Sequence, residues 1–109
     1  HTYYALPGRM LITFLGAEDG GLPAGMAEFT NDGKFIRRIE NPKDAPYGYD
    51  VAVKPERNRM VTSSFTPMRN YRRPFAEMDA KDFGNQMGVW DFKERKPIQV
   101  GTAGAAPLE

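Results

Sequence analysis

Cysteine is absent from the 109 residues of this chain, and histidine occurs once, at position 1. The lack of cysteine excludes disulfides, thiolate metal sites and a cysteine nucleophile within these residues, and it leaves a cytoplasmic and a periplasmic location equally open. A serine nucleophile has weak support. Ser63-Ser64 lies in a strand pattern rather than in the sharp strand-to-helix turn of a hydrolase, and one histidine is available as base.

An excess of either charge is also missing, as is a long hydrophobic run. Fifteen basic and fourteen acidic residues give a formal net charge of +1, which is too even for the phosphate-neutralising surface of a nucleic-acid-binding protein. The longest apolar stretch, within residues 10–15, is far shorter than the roughly 20 residues that cross a bilayer. We therefore expect no nucleic-acid partner and no membrane span, and we expect any targeting signal to lie outside this segment.

Turn-forming residues are plentiful, with eleven glycines and nine prolines. They bound short alternating runs that predict β-strands at 9–15, 25–30, 34–40, 49–54, 58–65, 87–92 and 97–101. Asp32-Gly33 predicts a tight turn, and hence antiparallel pairing of the strands on either side of it. Helix is predicted only within 72–82, where Pro74 is tolerated in a first turn alone.

The two halves of the chain are related by an internal repeat. Met26-Ala27-Glu28-Phe29 matches Met87-Gly88-Val89-Trp90 at an offset of 61, and the same offset relates Ala45-Pro46 to Ala106-Pro107. Arg9-Met10-Leu11 matches Arg59-Met60-Val61 at an offset of 50. The second unit therefore carries 11 extra residues, which we place within 66–86.

A repeated unit of four strands with a proline-containing link predicts the blades of a β-propeller. We expect an all-β chain of antiparallel four-stranded sheets that forms about two blades of a larger propeller: the first over about 1–44, the second over about 45–105, and the start of a third at 106–109. The innermost strands would be 1–6 and 49–54. The alternative is an independent open β-sandwich of seven strands.

Two blades alone would leave apolar sheet faces in water. Ordering the chain costs about 1.5 kcal/mol per residue, which buried apolar area has to offset. We therefore expect the remaining blades to come from the same chain or from other copies.

Candidate site residues lie where the innermost strands begin, because those positions line the central channel of a propeller. His1, Tyr49, Asp50 and Glu109 fall near that end, and together they could build a metal site or a polar-ligand site. The alternative for His1 is an ordinary hydrogen-bonded or surface histidine. The stretch 66–82 mixes arginines with aromatics, which suits partner recognition or an ordered insertion that covers the blade with Met68, Tyr71, Phe75 and Met78.

The segments HTYYALPGRMLITFLG, APYGYDVAVKPERNRMVTSSF, FGNQMGVWDFKERKPIQV and the terminal APLE resemble the selenium-binding protein family, which includes the methanethiol oxidases. The resemblance runs over essentially the whole chain and covers a minor, central part of the family's chain. It implies a propeller with more blades than this segment can build. It also implies oxidation of methanethiol by oxygen and water to formaldehyde, hydrogen sulfide and hydrogen peroxide, with copper held by histidines in the channel.

The sequence departs from the family pattern at its first residues. Many relatives read His-Thr-x-His-Cys where this chain reads His1-Thr2-Tyr3-Tyr4-Ala5, so Tyr4 stands in place of a histidine that the resemblance implies is a copper ligand. A phenol is a poorer copper ligand than neutral imidazole. We expect His1, Tyr4, Tyr49, Asp50 and Glu109 to line a site for a small thiol or selenium compound. The alternative is a non-catalytic scaffold that binds other proteins.

Overall fold

The structure is a computed structural model that describes residues 1–104. It contains eight strands: β1 (Tyr3–Leu6), β2 (Arg9–Phe14), β3 (Gly25–Thr30), β4 (Phe35–Glu40), β5 (Gly48–Lys54), β6 (Arg59–Ser64), β7 (Gln86–Asp91) and β8 (Lys96–Thr102). They form two four-stranded sheets with the strand orders β1-β2-β3-β4 and β5-β6-β7-β8, and all neighbours are antiparallel. The predicted all-β architecture is confirmed, and we call these sheets blade 1 and blade 2.

Helical structure within residues 1–104 is a 3-10 turn between β5 and β6, Pro55–Arg57, and three short elements in the connection between β6 and β7. The α-helix, α1 (Met68–Tyr71), precedes the region 72–82 in which helix was predicted, and that region holds two 3-10 turns, Phe75–Glu77 and Ala80–Asp82. The reason is Pro74, since the residue before a proline is disfavoured in the helical region and proline cannot continue a helix. Within the described range, no helix is long and apolar enough to span a bilayer.

The two blades repeat each other in their strand pairing. Leu11 pairs with Tyr4 and with Glu28, and its repeat equivalent Val61 pairs in the same way with Ala52 and Val89. A β-bulge follows Glu28 in blade 1 and Val89 in blade 2. The 11 extra residues predicted within 66–86 lie in the connection between β6 and β7, since residues 65–85 are 11 residues longer than residues 15–24 of blade 1.

The predicted turn at Asp32-Gly33 is also confirmed. The Thr30 N–H donates to the Lys34 carbonyl at 2.9 Å, and the Gly33 N–H donates to the Thr30 carbonyl at 3.0 Å. Gly33 has a φ of 87°, a conformation that glycine adopts without steric cost. The turn therefore joins β3 and β4 as an antiparallel hairpin.

The hydrophobic core lies between the two blades. Blade 1 contributes Leu11, Met26 and Ile39, and blade 2 contributes Val51, Met60 and Trp90. The Trp90 indole N–H donates to Thr62 Oγ1 at 2.9 Å, so this fully buried ring keeps its polar atom satisfied. Burying one large apolar side chain contributes about 1.5–3 kcal/mol. The contact between the blades is therefore a principal source of stability in this segment.

Equivalent residues of the two blades have different surroundings. Met26 of β3 is 1% exposed, whereas Met87, its equivalent in β7, is 39% exposed. Blade 1 contacts blade 2 through the face that carries Met26. Blade 2 contacts blade 1 through the other face of its sheet, the one that carries Trp90. As a result Met87 lies on the outer face of blade 2, together with Ala52, Val61 and Val89.

Candidate functional site

The predicted site residues His1 and Tyr49 lie together at one end of the two blades. They occupy equivalent places in the repeat, just ahead of β1 and near the start of β5. The imidazole of His1 stacks on the Tyr49 ring, with the ring centroids 3.9 Å apart and the planes 16° from parallel. The side chain next to Tyr49, that of Asp50, accepts a hydrogen bond from the Thr2 hydroxyl. The first strands of both blades thus build one cluster of His1, Thr2, Tyr49 and Asp50, which we call the rim cluster.

Thr13 connects the two strands that build the rim cluster. It is buried at the end of β2, where its hydroxyl donates to the Tyr49 carbonyl at 2.6 Å and accepts from the Thr2 N–H at 2.8 Å. Its hydroxyl therefore fixes the backbone beside His1 to the backbone that carries the Tyr49 ring. Buried hydroxyls with both bonds satisfied make such a junction rigid.

Blade 2 has a hydroxyl residue in the same place as Thr13 of blade 1. Ser63 is the equivalent of Thr13 at the offset of 50, and its Oγ accepts from the Asp50 N–H at 3.3 Å. Asp50 Oδ1 also accepts from the Val51 N–H at 2.7 Å. Sequence reasoning did not single out Thr2 or Thr13. The alignment of Thr13 with Ser63 is the signal that would have pointed to a shared role.

The insertion packs against the rim cluster through aromatic rings. Phe65 lies 4.5 Å from Tyr49 between ring centroids, and it also contacts the rings of Phe83 (5.4 Å) and Tyr71 (6.1 Å) edge to face. Such pairs contribute about 0.5–1.5 kcal/mol beyond their burial. The aromatic residues of 65–83 therefore continue the stack that begins at His1.

A buried asparagine gives the insertion a fixed shape. Asn70 Nδ2 donates to Thr66 Oγ1 at 2.9 Å and to the Asp79 carbonyl at 3.1 Å, and Asn70 Oδ1 accepts from the Asp79 N–H at 2.8 Å. The expectation that Phe75 covers the blade is wrong, because this ring is 88% exposed. It lies in the short 3-10 turn that follows Pro74.

Tyr4 lies in a different environment from the rim cluster. Its hydroxyl donates to the Val53 carbonyl at 3.1 Å, and its ring packs against the core between the blades. The alternation of a strand explains this placement, since Tyr4 shares its face with Leu6, which is also packed against that core. Glu109, the remaining predicted site residue, lies outside the described residues.

The rim cluster does not complete a copper site by itself. Among residues 1–104, no three His, Cys, Asp or Glu side chains are grouped so that they could hold a metal ion. Asp50 Oδ1 already accepts two hydrogen bonds, and His1 offers one imidazole. Copper sites use several imidazole or sulfur ligands. His1 is the donor in this segment that best fits such an ion.

Two antiparallel four-stranded blades packed face to face, with aligned strand starts at one rim, define this chain as part of a β-propeller. The 56 kDa selenium-binding protein family (SBP56) matches residues 1–109. The chain belongs to this family, as the sequence resemblance predicted.

Relatives across this family extend far beyond the present segment. A methanethiol oxidase from Hyphomicrobium sp is 38% identical over 120 residues, and the match covers 100% of this chain and 27% of the relative. A methanethiol oxidase from Ruegeria pomeroyi is 38% identical over 130 residues, with 100% of this chain and 30% of the relative covered. Selenium-binding protein 1 from Arabidopsis thaliana is 27% identical, with coverages of 100% and 24%. The chain thus spans from 24% to 30% of the length of these relatives.

A solved structure supports the fold. The X-ray structure of a hypothetical selenium-binding protein from Sulfolobus tokodaii superposes with a TM-score of 0.84 at 24% sequence identity. The superposition covers 95% of this chain and 24% of that one. The similarity concerns the fold alone.

Proposed function

We propose that the full-length protein to which this segment contributes two blades oxidises a small thiol, and that the rim cluster is part of its binding site. The observation that carries the proposal is the stack of His1 on Tyr49, built from equivalent positions of both blades. The support from relatives is that proteins named methanethiol oxidase are 38% identical over the whole of this chain. In this proposal blade 1 covers about 1–44, blade 2 covers about 45–105, and a third blade starts at 106–109.

The residues of this segment would bind the thiol and accept the proton of its S–H group. Sulfur beside an aromatic ring edge gains about 0.3–1.5 kcal/mol, so the Tyr49 and Phe65 rings suit the CH3–S group of methanethiol. The imidazole of His1 can act as a general base towards a bound thiol. Its stacking on Tyr49 fixes the plane of the ring, and Thr13 fixes the backbone on both sides. The cluster would therefore orient a thiol and take up its proton.

The site for a redox-active metal would be completed by residues of the protein outside this segment. Copper supplies one-electron steps, which a closed-shell sulfide needs because it reacts slowly with dioxygen. His1 would contribute one imidazole to such an ion, and further ligands would come from the other blades. Selenium binding, which the family name states, would likewise use residues outside this cysteine-free segment.

The test is methanethiol turnover by the purified full-length protein, with hydrogen peroxide release and metal per chain measured together. Replacing His1 with Phe keeps an aromatic ring on Tyr49 but removes the proton acceptor, and we expect kcat/KM to fall by about 100-fold or more. Tyr3→Phe is the matched control, since Tyr3 is 73% exposed and should leave turnover unchanged. Full activity in His1→Phe would contradict the assigned role.

A non-catalytic scaffold is the second candidate, and one observation favours it. Where many relatives have a histidine and a cysteine, this chain has Tyr4 and Ala5, and the Tyr4 hydroxyl is already bonded to the Val53 carbonyl. A metal-free full-length preparation that releases no peroxide from methanethiol would support the scaffold, with the rim cluster then serving to join the blades.

A further inference from the structure

A second cluster of charged residues lies away from the rim cluster, towards the opposite ends of β1 and β2. Its centre is Glu28 of β3, whose side chain is 1% exposed. Three guanidinium groups bond this carboxylate: Arg9 through Nη1 at 3.0 Å, Arg37 through Nε at 3.2 Å and Arg95 through Nε at 2.9 Å. Arg95 belongs to blade 2, so the cluster joins the two blades.

Arg95 is held in place from several sides. Its side chain is 10% exposed, its guanidinium lies 4.2 Å from the centroid of the Phe92 ring, and its Nη1 donates to the Phe92 carbonyl. Its backbone has a φ of 55°, in the left-handed region that residues other than glycine adopt only at an energetic cost. In the corresponding turn of blade 1, the residue with a positive φ is Gly33. The contacts of the Arg95 side chain offset the strain and hold a guanidinium at a fixed point between the blades.

The cluster carries more positive charge than its carboxylate neutralises. A cavity of about 300 Å3 opens beside it, and Arg9, Arg37, Arg95 and Lys93 line the cavity together with Glu28. Four positive charges against one negative charge leave an excess of three. Each guanidinium has five N–H donors, and the bonds from Arg9 and Arg37 to Glu28 use one donor each.

The rest of the cavity wall is apolar. Leu6, Pro7, Pro55 and the Phe92 ring complete its lining. The side chains of Arg9 and Arg37 are 46% and 44% exposed, so a ligand can reach them from solvent. The arrangement therefore combines a fixed cationic side with an apolar side.

We propose that this cavity is a binding site for a small organic phosphate. Arginine forks pair with phosphate oxygens through two parallel hydrogen bonds. A phosphate dianion matches the excess charge better than a single carboxylate, which carries half of its charge. Glu28 acts as the anchor that fixes the three arginines, and the apolar wall receives the organic part of the ligand.

The experiment is calorimetric titration of the full-length protein with inorganic phosphate and with phenyl phosphate at low ionic strength. Phenyl phosphate should bind about 3–10-fold more tightly than inorganic phosphate, because its ring is buried on the apolar wall. The double variant Arg9→Gln/Arg37→Gln should bind both at least about tenfold more weakly. The control is Arg38→Gln, the next residue along β4, whose guanidinium lies over the Phe14 ring instead and whose loss should leave the affinity unchanged.

The proposal is overturned if neither compound shows saturable binding, or if the double variant keeps the wild-type affinity. Circular dichroism and the melting temperature establish that the variants are folded. Should the double variant fail to fold, Lys93→Gln takes its place. This exposed side chain makes none of the bonds to Glu28 described above, and its loss should weaken phenyl phosphate binding by about threefold. An unchanged affinity in that variant would equally overturn the proposal.

Discussion

Blade 1 and blade 2 share their strand order, the register of their first three strands and the position of one β-bulge, yet they differ in which side chains they bury. Met26 is covered and its equivalent Met87 is not, while Trp90 is buried and its equivalent Phe29 is only partly so. The cause is that neighbouring blades contact each other through opposite faces. An internal repeat thus predicts the backbone of a residue, whereas the neighbouring sheet determines its burial.

The two blades also differ in how their equivalent positions are used. At one end, His1 and Tyr49 occupy the same place in their blades and stack on each other. Towards the other end, Glu28 of blade 1 binds arginines, whereas its equivalent Val89 offers no charge. The rim cluster is therefore built from equivalent positions of both blades. The Glu28 cluster, in contrast, depends on a carboxylate that is present at this position in blade 1 and replaced by Val89 in blade 2.

The largest expected effect comes from removing the blade 2 side of the shared core. Trp90→Ala should lower the free energy of unfolding by about 3–5 kcal/mol, because it leaves a large cavity between the blades. Phe35→Ala, on the 62% exposed ring of blade 1, should cost less than about 1 kcal/mol. Urea unfolding of the full-length protein measures both, and equal losses would contradict a core between the blades.

Removing the carboxylate that joins the blades should have the next largest effect, and this effect depends on pH. Burial raises the pKa of Glu28, but hydrogen bonds and charge from Arg95 and Arg37 outweigh burial and hold the pKa below its ordinary value of 4.5. Because the pKa of Glu28 is lower in the folded state than in the unfolded state, its charged form contributes fully to stability above pH 4.5. This contribution is lost as the pH falls through the pKa of Glu28 in the folded state.

Glu28→Gln should therefore cost about 2–3 kcal/mol at pH 7, because it leaves guanidinium groups without their partner. The difference in melting temperature from the wild type should shrink on acidification below pH 4.5. Glu56→Gln is the control, since Glu56 pairs with Lys54 on the exposed surface and its loss should change little at either pH. A wild-type advantage that persists undiminished at pH 3 would argue against a charged Glu28 as its source.

A smaller effect is expected from adding a side chain at the start of β3. The backbone of β4 leaves no room for a Cβ there, whereas the start of β7 accommodates a full side chain. A Cβ on Gly25 would lie 2.2 Å from the Ile39 carbonyl oxygen, whereas the equivalent place in blade 2 holds Gln86. Gly25→Ala should cost about 1–3 kcal/mol through backbone displacement. Gly101→Ala meets no atom within 4 Å and should be nearly neutral. Melting temperatures distinguish the two, and a neutral Gly25→Ala would show that the strands separate easily there.

Much of the fold could be predicted from the sequence, because strand alternation and a fixed repeat offset are local signals. The strand bounds, the turn at Gly33 and the long connection of blade 2 follow from them. The placement of Tyr4 could not be predicted, since a residue near the start of a strand can face the rim or the neighbouring blade. The contact of Arg95 with Glu28 joins residues 67 positions apart, and no local pattern indicates it.

The most direct test of the repeated-blade account is the oxidation of individual methionines in the full-length protein. Limited peroxide treatment followed by peptide mass spectrometry gives the rate at each position. If a third blade follows and covers the outer face of blade 2, Met87 should be oxidised at least about tenfold more slowly than free methionine, as Met26 and Met60 are expected to be. A Met87 that reacts as fast as free methionine, while Met26 stays protected, would contradict the account.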